Sequence, residues 1–594
     1  MKSKTTALWF VFAAALAAFI WLYETKLQPA PPVHTTLLAG LRAADVTEIQ
    51  IFPSGSREIL AVRTNSIWQL EKPLAYPAQA AAIETLLASL EKLSPALRLN
   101  AAEMQGNKNA DAEFGFENPQ FTLDLDAGGQ SWHLRVGNMT APGDGVYVRV
   151  VGQAGAYVTD PDWLRQLPRD VNAWRDYALV DLAGSVDWLV ITNGTRAIEL
   201  RRDATNHLWR ITSPLQARAN NLFMATALEQ LSSAKVSQFV TDDPKADLTA
   251  YGLQPAALDV WLGSGTNYLA AVHAGKDSPD HAGQVYAQRE GWNSVVTVAS
   301  STFAPWRGSV NDFRDPRLLD FTAPVAEIDV RGENDFTLLE NGTNGWAVAG
   351  EKFPADEDSV KEFVGLLTNL RIAEFVKDFA TATDLQGFGI STNSRQITLN
   401  SNSRDTNSVI AQIVFGTAGT NQIFVKRSDE VFVYALPLDD YKRLPEYGWE
   451  FRDRRIWNFS ETNIAKITLH QGGQMRQILR TGANAWSLAP GSQGIINPLA
   501  IEETAHRLGQ LAATGWVGRN FPAPEKFGLD TNNLDLAVEL KNGEKHSVDF
   551  GGVVPGTQTV FAAVTLDGER WTFVFPAPLC ALVAAYLTIP QNTP

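Results

Sequence analysis

A chain of 594 residues is too long for a single hydrophobic core, so its length indicates several domains. The formal net charge of −15 excludes the basic face that nucleic-acid binding requires, and no nucleic-acid partner is expected. The single cysteine, Cys580, excludes an intrachain disulfide framework and metal sites built on several thiolates. The apolar residues around Cys580 predict an inert, buried thiol.

The first predicted element is an apolar segment over residues 7–23 that contains no charge, glycine or proline. A helix of this length is close to the shortest that spans a bilayer, and Lys2 and Lys4 before it favour a cytoplasmic N-terminus. We therefore predict a cytoplasmic N-terminus over 1–6, a transmembrane anchor over 7–23 and a Pro-rich spacer over 24–44. The expected location is the cell inner membrane, crossed once, with the bulk of the chain periplasmic. A cleaved signal peptide is the alternative, because Ala15-Leu16-Ala17 has the small-x-small form of a cleavage site.

Three markers recur along the rest of the chain at a nearly constant spacing, which predicts tandem repeats. They are a tryptophan at the end of a short strand, an aromatic–Gly–apolar turn, and an apolar residue 29 or 30 positions after the tryptophan. Their positions are Trp68, Trp209, Trp346 and Trp486; Phe114, Tyr251, Phe388 and Phe527; and Leu97, Phe239, Phe375 and Trp516. We predict four copies of one unit, over 45–183, 184–323, 324–461 and 462–594, and expect each copy to fold by itself.

A nine-residue motif separates the copies: "WRDYALVDL" over 174–182, "FRDPRLLDF" over 313–321 and "FRDRRIWNF" over 451–459. We call these the junction segments. Four copies have three junctions, which explains why the motif occurs three times. Its aromatic and apolar residues are predicted to fill the joint between copies, while its Arg and Asp satisfy the backbone or each other. Neighbouring Arg and Asp side chains do not converge on one substrate, so a structural role is favoured over a catalytic one.

Each copy has a mixed pattern that predicts an α+β fold. It opens with alternating stretches such as "VTEIQIF" and "EILAVR", which indicate a half-buried hairpin, and further alternating stretches follow the aromatic–Gly–apolar turn. Between them lies one main helix with an apolar stripe. The stripes are Ile83, Leu86, Leu87, Leu90 and Leu93; Leu228 and Leu231; Val360, Val364, Leu367 and Leu370; and Ile501, Ala505, Leu508 and Leu511. The predicted fold is an N-terminal transmembrane helix followed by four tandem α+β repeats of antiparallel strands with one main helix each.

These features together resemble a bacterial family, the domain of unknown function DUF4340. The resemblance rests on "MKSKTT" with its apolar segment, on the strand–tryptophan–proline–helix order, and on the "YGL-x-P" turn from Tyr251 to Pro255. It covers essentially the whole chain after residue 44. The fourth copy lacks the closing junction motif, and copies 3 and 4 lack the proline after the turn. The resemblance implies a setting beside ABC-type transporters of the gliding-motility or auxiliary-transport kind, so such a transporter or another membrane-complex subunit is the implied partner.

The sequence predicts no catalytic residue, cofactor or metal site, and we do not expect an enzyme. Phosphate-loop, G-x-S-x-G and H-E-x-x-H motifs are absent, and no histidines occupy equivalent positions in different copies. The densest polar cluster, "HAGKDSPDH" over 273–281, could hold a cation as a loop, although a solvated loop is favoured. The recurrent tryptophans favour core packing over carbohydrate platforms.

The function that this pattern favours is a non-catalytic scaffold or ligand-capture accessory of a membrane transport or motility complex. Two alternatives remain open. One is an envelope glycan-binding protein that uses exposed aromatic rings, and the other is an enzyme whose site assembles where two copies meet.

Overall fold

The computed structural model describes residues 3–26, 36–106, 109–182, 184–342, 345–402, 408–530 and 534–589. Its strands form four antiparallel sheets of eight or nine strands, with helices between them. The chain is therefore a β-rich α+β protein, as the alternating stretches and single helix of each copy predict.

The strands are numbered in chain order. Copy 1 contains β1 Glu48–Pro53, β2 Ile59–Thr64, β3 Ile67–Lys72, β4 Tyr76–Pro77, β5 Pro95–Leu99, β6 Phe121–Ala127, β7 Gln130–Met139, β8 Val146–Val150 and β9 Ala156–Thr159. Copy 2 contains β10 Trp188–Asn193, β11 Arg196–Arg202, β12 Trp209–Ser213, β13 Ala217–Arg218, β14 Val236–Thr241, β15 Leu258–Ser264, β16 Asn267–Asp277, β17 Gln284–Arg289 and β18 Val295–Ala299. Copy 3 contains β19 Glu327–Arg331, β20 Phe336–Glu340, β21 Trp346–Val348, β22 Glu374–Lys377, β23 Gln396–Asn400, β24 Val409–Ala418, β25 Gln422–Arg427 and β26 Val433–Pro437. Copy 4 contains β27 Ile464–Gln471, β28 Gln474–Gly482, β29 Ala485–Leu488, β30 Gly515–Arg519, β31 Leu534–Leu540, β32 Lys545–Val553, β33 Val560–Leu566 and β34 Glu569–Val574.

The helices follow the same numbering rule. They are α1 Ser3–Lys26, α2 Ala80–Glu91, α3 Ala101–Gly106, α4 Ala110–Glu113, α5 Asn221–Ser233, α6 Val310–Phe313, α7 Glu357–Asn369, α8 Ala382–Gly387, α9 Leu438–Lys442, α10 Pro498–Gly509 and α11 Ala577–Leu582. The main helices of the four copies are α2, α5, α7 and α10.

One strand order recurs in all four sheets. The first sheet runs β4-β3-β2-β1-β6-β7-β8-β9-β5, so the strand that follows the main helix joins the far edge of the sheet. The main helix therefore carries the chain across the sheet before the second meander begins. The other sheets repeat this order as β12-β11-β10-β15-β16-β17-β18-β14, β21-β20-β19-β23-β24-β25-β26-β22 and β29-β28-β27-β31-β32-β33-β34-β30.

The apolar stripes of the main helices face the cores, with two adjustments to the predicted sets. All four residues predicted in copy 4 are buried, of which Leu511 lies just after α10, and so are the five predicted in copy 1, of which Leu93 lies just after α2. In α5, Leu228 is half-buried and the buried face is Met224, Ala227 and Leu231. In α7, Val364 is half-buried and Phe363 takes its place in the core. The predicted and observed buried faces differ because apolar residues flank the stripe in these helices. With 3.6 residues per turn, either of two neighbouring faces could then be the buried one.

The aromatic–Gly–apolar turn has the same geometry in every copy. Its glycine adopts a positive φ, between 64° and 80°, which explains why the position is glycine. The carbonyl oxygen of the preceding aromatic residue lies against a second glycine in a strand of the following hairpin. A Cβ at that second glycine would lie 2.0–2.3 Å from the carbonyl oxygen. The glycine pairs are Gly115 and Gly137, Gly252 and Gly275, Gly389 and Gly416, and Gly528 and Gly551.

The apolar helix α1 exposes its large side chains. Leu8, Phe10 and Trp21 are 71%, 76% and 65% exposed. Among the helices as far as they are described, none meets the length and hydropathy criteria for a membrane span. Residues 27–35 of the predicted Pro-rich spacer lie outside the described residues. Its last part packs inward, because Leu37, Leu38 and other apolar residues there are buried in the core of copy 1.

The chain divides into two compact units, which do not follow the copy boundaries. Unit 1 comprises Met1–Pro214 and Leu222–Ser309, and unit 2 comprises Leu215–Asn221 and Val310–Pro594. In unit 2, one continuous hydrophobic core runs through copies 3 and 4. Phe353 of copy 3 packs edge-on against Trp571 of copy 4, with ring centroids 5.6 Å apart. Copies 3 and 4 thus share a core, which the expectation of self-contained copies had not included.

We expect copies 3 and 4 to remain associated after the chain between them is cut. A protease site inserted beside the exposed Ser460 would break the connection without touching the shared core. After cleavage, the two pieces should elute together in size-exclusion chromatography and unfold in one transition in urea. Separation of copy 4 as a folded fragment would show instead that the shared core adds little stability.

Candidate functional site

Each junction segment forms short backbone pairings on both of its sides. On one side its arginine bridges the residue that precedes the main helix, at Ala78↔Arg175, Ala219↔Arg314 and Ala355↔Arg452. On the other side, a later residue of the junction segment pairs with a residue shortly after the next main helix. These pairings are Ala178↔Lys235, Arg317↔Arg371 and Arg455↔Ala512. The junction motif is therefore a connecting strand that is shared between successive copies.

The first junction arginine, Arg175, is buried among aromatic rings. Its side chain is 1% exposed, and its guanidinium carbon lies 3.9 Å from the ring centroid of Phe239 and 4.4 Å from that of Tyr76. One Nη donates to Asp242 and, at 3.1 Å, to Ser294 Oγ. The charge is thus neutralised by a carboxylate and covered by two rings, as a buried arginine requires.

The second and third junction arginines repeat this arrangement. Arg314 lies 4.0 Å from the ring centroid of Phe375 and donates to Asp378 at 2.5 Å. Arg452 lies 4.5 Å from the ring of Trp571 and 5.9 Å from that of Trp516. The third sequence marker, at Phe239, Phe375 and Trp516, is therefore an aromatic ring against which the preceding junction arginine packs. Sequence analysis found this marker without its role.

The junction aspartates bind backbone rather than the adjacent arginine. Asp176 accepts a hydrogen bond from the amide of Ala178, Asp315 from that of Arg317 and Asp453 from that of Arg455. Each therefore fixes a turn two residues ahead. The prediction that these residues satisfy the backbone is confirmed for aspartate, whereas each arginine pairs with a carboxylate farther along the chain.

A buried ion network surrounds the second junction. Glu430 accepts hydrogen bonds from Arg218 Nε at 2.9 Å and from the Tyr434 hydroxyl at 2.6 Å. Burial and the neighbouring carboxylate raise the pKa of Tyr434. Arg218 also donates to Asp315 at 3.1 Å. These groups neutralise one another, so the network stabilises the junction.

The acidic partner of the arginine changes at the third junction. Three residues after the aromatic marker, copies 2 and 3 carry Asp242 and Asp378, but copy 4 carries Arg519. Arg452 pairs instead with Asp567 at 2.9 Å. Arg519 is held by Glu351 at 2.6 Å and by Glu569 at 2.7 Å. Two arginines thus meet where copies 3 and 4 join.

A cleft of about 600 Å³ opens at this junction, and we take it as the candidate functional site. It is lined by Arg395, Tyr441, Lys442, Arg443, Leu444, Pro445, Glu446, Tyr447, Trp449, Glu450, Trp516, Val517, Arg519 and Phe521. Its volume is typical of pockets that bind small molecules, and its lining combines aromatic rings with a few charged groups. A neighbouring cavity of about 250 Å³ shares Arg395, Tyr441 and Glu446 with it, so the two form one groove.

The side chain of Glu450 holds a loop that lines the cleft by hydrogen bonds to its backbone. This carboxylate accepts hydrogen bonds from the amides of Glu446 at 2.8 Å and Tyr447 at 2.7 Å. Burial raises the pKa of Glu450. The rings of Tyr447 and Trp449 stack with centroids 5.3 Å apart. The cleft therefore has a rigid wall with an aromatic surface.

Other polar groups singled out in the sequence do not assemble into a site. His273 lies in β16, where its ring nitrogens are 2.5 Å from Asp259 and 2.7 Å from Glu290. Of the segment 273–281, only the part after Asp277 is loop. Over the described parts of the chain, no three His, Cys, Asp or Glu side chains are grouped as metal ligands. Cys580 is half-buried against the core of copy 4.

The tryptophans mostly belong to the cores, as their recurrence predicts. Trp68, Trp209, Trp486, Trp174, Trp457, Trp132 and Trp571 are buried, and Trp346 and Trp261 are half-buried. In copies 1 and 4 the recurrent tryptophan donates to a glutamate of the main helix, at 2.8 Å from Trp68 to Glu84 and 2.7 Å from Trp486 to Glu502. This polar contact between strand and helix went unnoticed in the sequence.

Comparison with known families agrees with this architecture. The family model described as "Domain of unknown function (DUF4340)" matches residues 68–206, 209–352 and 346–525. The matches begin at or beside the recurrent tryptophans of copies 1 to 3, and each includes one junction segment. No curated protein matches the chain. Because the family model covers most of the sequence in three successive matches, the chain belongs to the DUF4340 family.

Proposed function

We propose that the protein is a single-pass inner-membrane protein whose four copies lie outside the cytoplasm and act as a non-catalytic scaffold or ligand-capture accessory of a membrane complex. The observation that carries this proposal is the exposed apolar surface of α1. In water, such a surface would cost roughly 25 cal/mol for every Å² left uncovered.

A bilayer is the environment that fits this helix. Its 24 residues give a length of about 36 Å, and the uncharged residues 7–23 account for about 26 Å of it, close to the minimum for a hydrocarbon core of about 30 Å. Apolar residues occur on every side of the segment from Leu8 to Tyr23, as expected for a helix that is surrounded by lipid. Trp9 and Trp21 lie near its two ends, where indole rings favour the membrane interface.

The scaffold role is supported by the junctions and by the family context. Within unit 1 a connecting strand with a buried arginine joins copies 1 and 2, and within unit 2 a connecting strand and a shared core join copies 3 and 4, which suits a protein that binds a partner through a folded surface. The family resemblance points to a subunit of an ABC-type transporter or a related membrane complex as partner. The net negative charge of the chain fits a protein partner better than a nucleic acid.

Membrane attachment can be tested by placing charge in α1. In the double variant Phe12→Arg/Leu16→Arg, each arginine at the helix centre would disfavour insertion by about 2.5–3.5 kcal/mol. We expect the wild-type chain in the membrane fraction after alkaline extraction and the variant in the soluble fraction. Protease added to intact spheroplasts should digest the wild-type chain beyond the helix.

A matched control is Ile495→Arg, since Ile495 is 93% exposed but lies in copy 4. This variant should fractionate with the wild type. Protection of the four copies from protease would contradict the proposed orientation. A mature N-terminus at Ala18 would show that the segment is a cleaved signal peptide.

A further inference from the structure

We propose that the cleft between copies 3 and 4 binds an acidic glycan, a chain of pyranose rings that carry carboxylates. The rings would stack on Tyr447 and Phe521, and the carboxylates would pair with Lys442 and Arg443. This inference rests on the ligand-capture role proposed above, but it does not depend on membrane attachment.

Charge is the first argument. Four cationic side chains line the cleft, against the two carboxyl groups of Glu446 and Glu450. This positive surface belongs to a chain whose net charge is −15, so it is a local exception. It arises at the junction where Arg519 stands in the position that an aspartate occupies in copies 2 and 3.

Two of these cations are available to a ligand. The nearest carboxylate oxygens to Lys442 Nζ and Arg443 Nη1 are those of Asp439 and Asp440, both 3.9 Å away and beyond hydrogen-bond distance. Both cationic side chains are mostly exposed. By contrast, Arg519 is fully engaged by two glutamates and serves to shape the cleft. Arginine and lysine in such a position form charge-assisted hydrogen bonds with a carboxylate.

The aromatic rings supply the second argument. Trp449 covers one face of Tyr447, while Tyr447 remains 38% exposed. Phe521, on the copy 4 side of the cleft, is 39% exposed and packs edge-on against Phe527. Both rings are therefore supported from behind and open toward the cleft. Flat rings of this kind offer an apolar surface to the C–H face of a sugar while polar groups nearby bind its hydroxyls.

The geometry favours a glycan over an acidic peptide. A peptide would add to an exposed sheet edge or place side chains in apolar pockets. The edge strand at this junction is β30, and the turn over Gly448–Phe451 packs against it. Asn334, Asn393 and Ser394 line the neighbouring cavity and offer groups that suit sugar hydroxyls.

Binding should be measured by calorimetry on the full-length protein in detergent micelles, with three hexameric probes. These are hexagalacturonate, the neutral galactose hexamer and hexaglutamate. We expect hexagalacturonate to bind at least tenfold more tightly than either of the other two, and its affinity to fall as salt is raised. Tyr447→Ala and the double variant Lys442→Ala/Arg443→Ala should each weaken binding at least tenfold.

Matched controls are Tyr268→Ala, an exposed tyrosine of copy 2, and Lys361→Ala, an exposed lysine of α7. Both should bind as the wild type does, and unchanged melting temperatures would show that every variant is folded. Equal affinity for hexaglutamate would assign the cleft to acidic peptides and overturn the proposal. Affinity that the cleft variants leave unchanged, or no binding of hexagalacturonate, would also overturn it. Membrane fractionation is measured independently of glycan binding. A negative binding result would therefore leave the conclusion about membrane attachment unchanged.

Discussion

Replacing Asp242 by alanine is expected to lower the free energy of unfolding of unit 1 by about 2–3 kcal/mol, a large loss for a surface-accessible carboxylate. The reason is that Arg175, which is 1% exposed, would keep its charge with Ser294 and Asn172 as its remaining side-chain partners. An uncompensated buried charge costs more than the ion pair itself contributes. Urea denaturation of the full chain, followed by tryptophan fluorescence, measures the effect.

The matched control removes the charge together with its partner. In the double variant Arg175→Met/Asp242→Ala, an apolar side chain of similar length fills the space between Tyr76 and Phe239, so much of the stability should return. If the double variant were as unstable as Asp242→Ala alone, the loss of stability would come from the missing contacts between the guanidinium and the rings, and not from an unpaired charge. The equivalent changes at Asp378 and Asp567 should cost progressively less, because these carboxylates are 54% and 74% exposed.

Gly416→Ala is expected to destabilise unit 2 by about 2–3 kcal/mol through overpacking. A Cβ at this position would lie 2.2 Å from the carbonyl oxygen of Phe388 and 2.8 Å from a side-chain carbon of Ile390. The carbonyl cannot move freely, because it accepts a hydrogen bond from the amide of Thr417 at 2.8 Å. The midpoint of urea unfolding measures the change.

Gly365→Ala is the matched control, since no atom lies within 4 Å of a Cβ built at this glycine of α7. Alanine there should stabilise the helix by about 0.5–1 kcal/mol, because glycine loses more backbone entropy on folding. If both substitutions changed stability alike, close approach of the carbonyl would not be the cause. Gly137→Ala in copy 1 should repeat the loss, since its Cβ would lie 2.0 Å from the carbonyl oxygen of Phe114.

The repeat and the fold class could be predicted because they depend on local periodicity. The spacing of the tryptophans and glycine turns predicted the four copies, and the apolar pattern predicted Ile501, Ala505 and Leu508 of the buried face of α10. The residues that pair with the junction arginines over long sequence distances could not be predicted in this way. Arg175 and Asp242 are far apart in sequence, and although the pair recurs as Arg314 and Asp378, the periodicity alone does not show that the two side chains touch. Compared across copies, however, the position three residues after the aromatic marker distinguishes Arg519 from its acidic counterparts.

The cleft was beyond sequence reasoning for a related physical reason. Its walls come from α9, the loop that follows it and the edge strand β30, and only their packing brings these segments together. Exposure of Tyr447 and Phe521 is a property of that packing, whereas a sequence shows only that aromatic residues occur there. The hypothesis of a site where two copies meet identified no residues, and it stays a prediction.

The connecting strands also bear on how the chain folds during synthesis. Ala78, just before α2, pairs with Arg175, which leaves the ribosome only after every strand of the first sheet. The pairing of Ala178 with Lys235 must wait until α5 of the next copy has emerged. Each of copies 1 to 3 is thus completed by residues translated after its own sheet, so a nascent chain that ends before a junction segment carries one unfinished copy. If a ribosome stalled within a junction segment, the residue before the main helix would lack the arginine with which it pairs. We expect the nascent chain to need a chaperone most at these points.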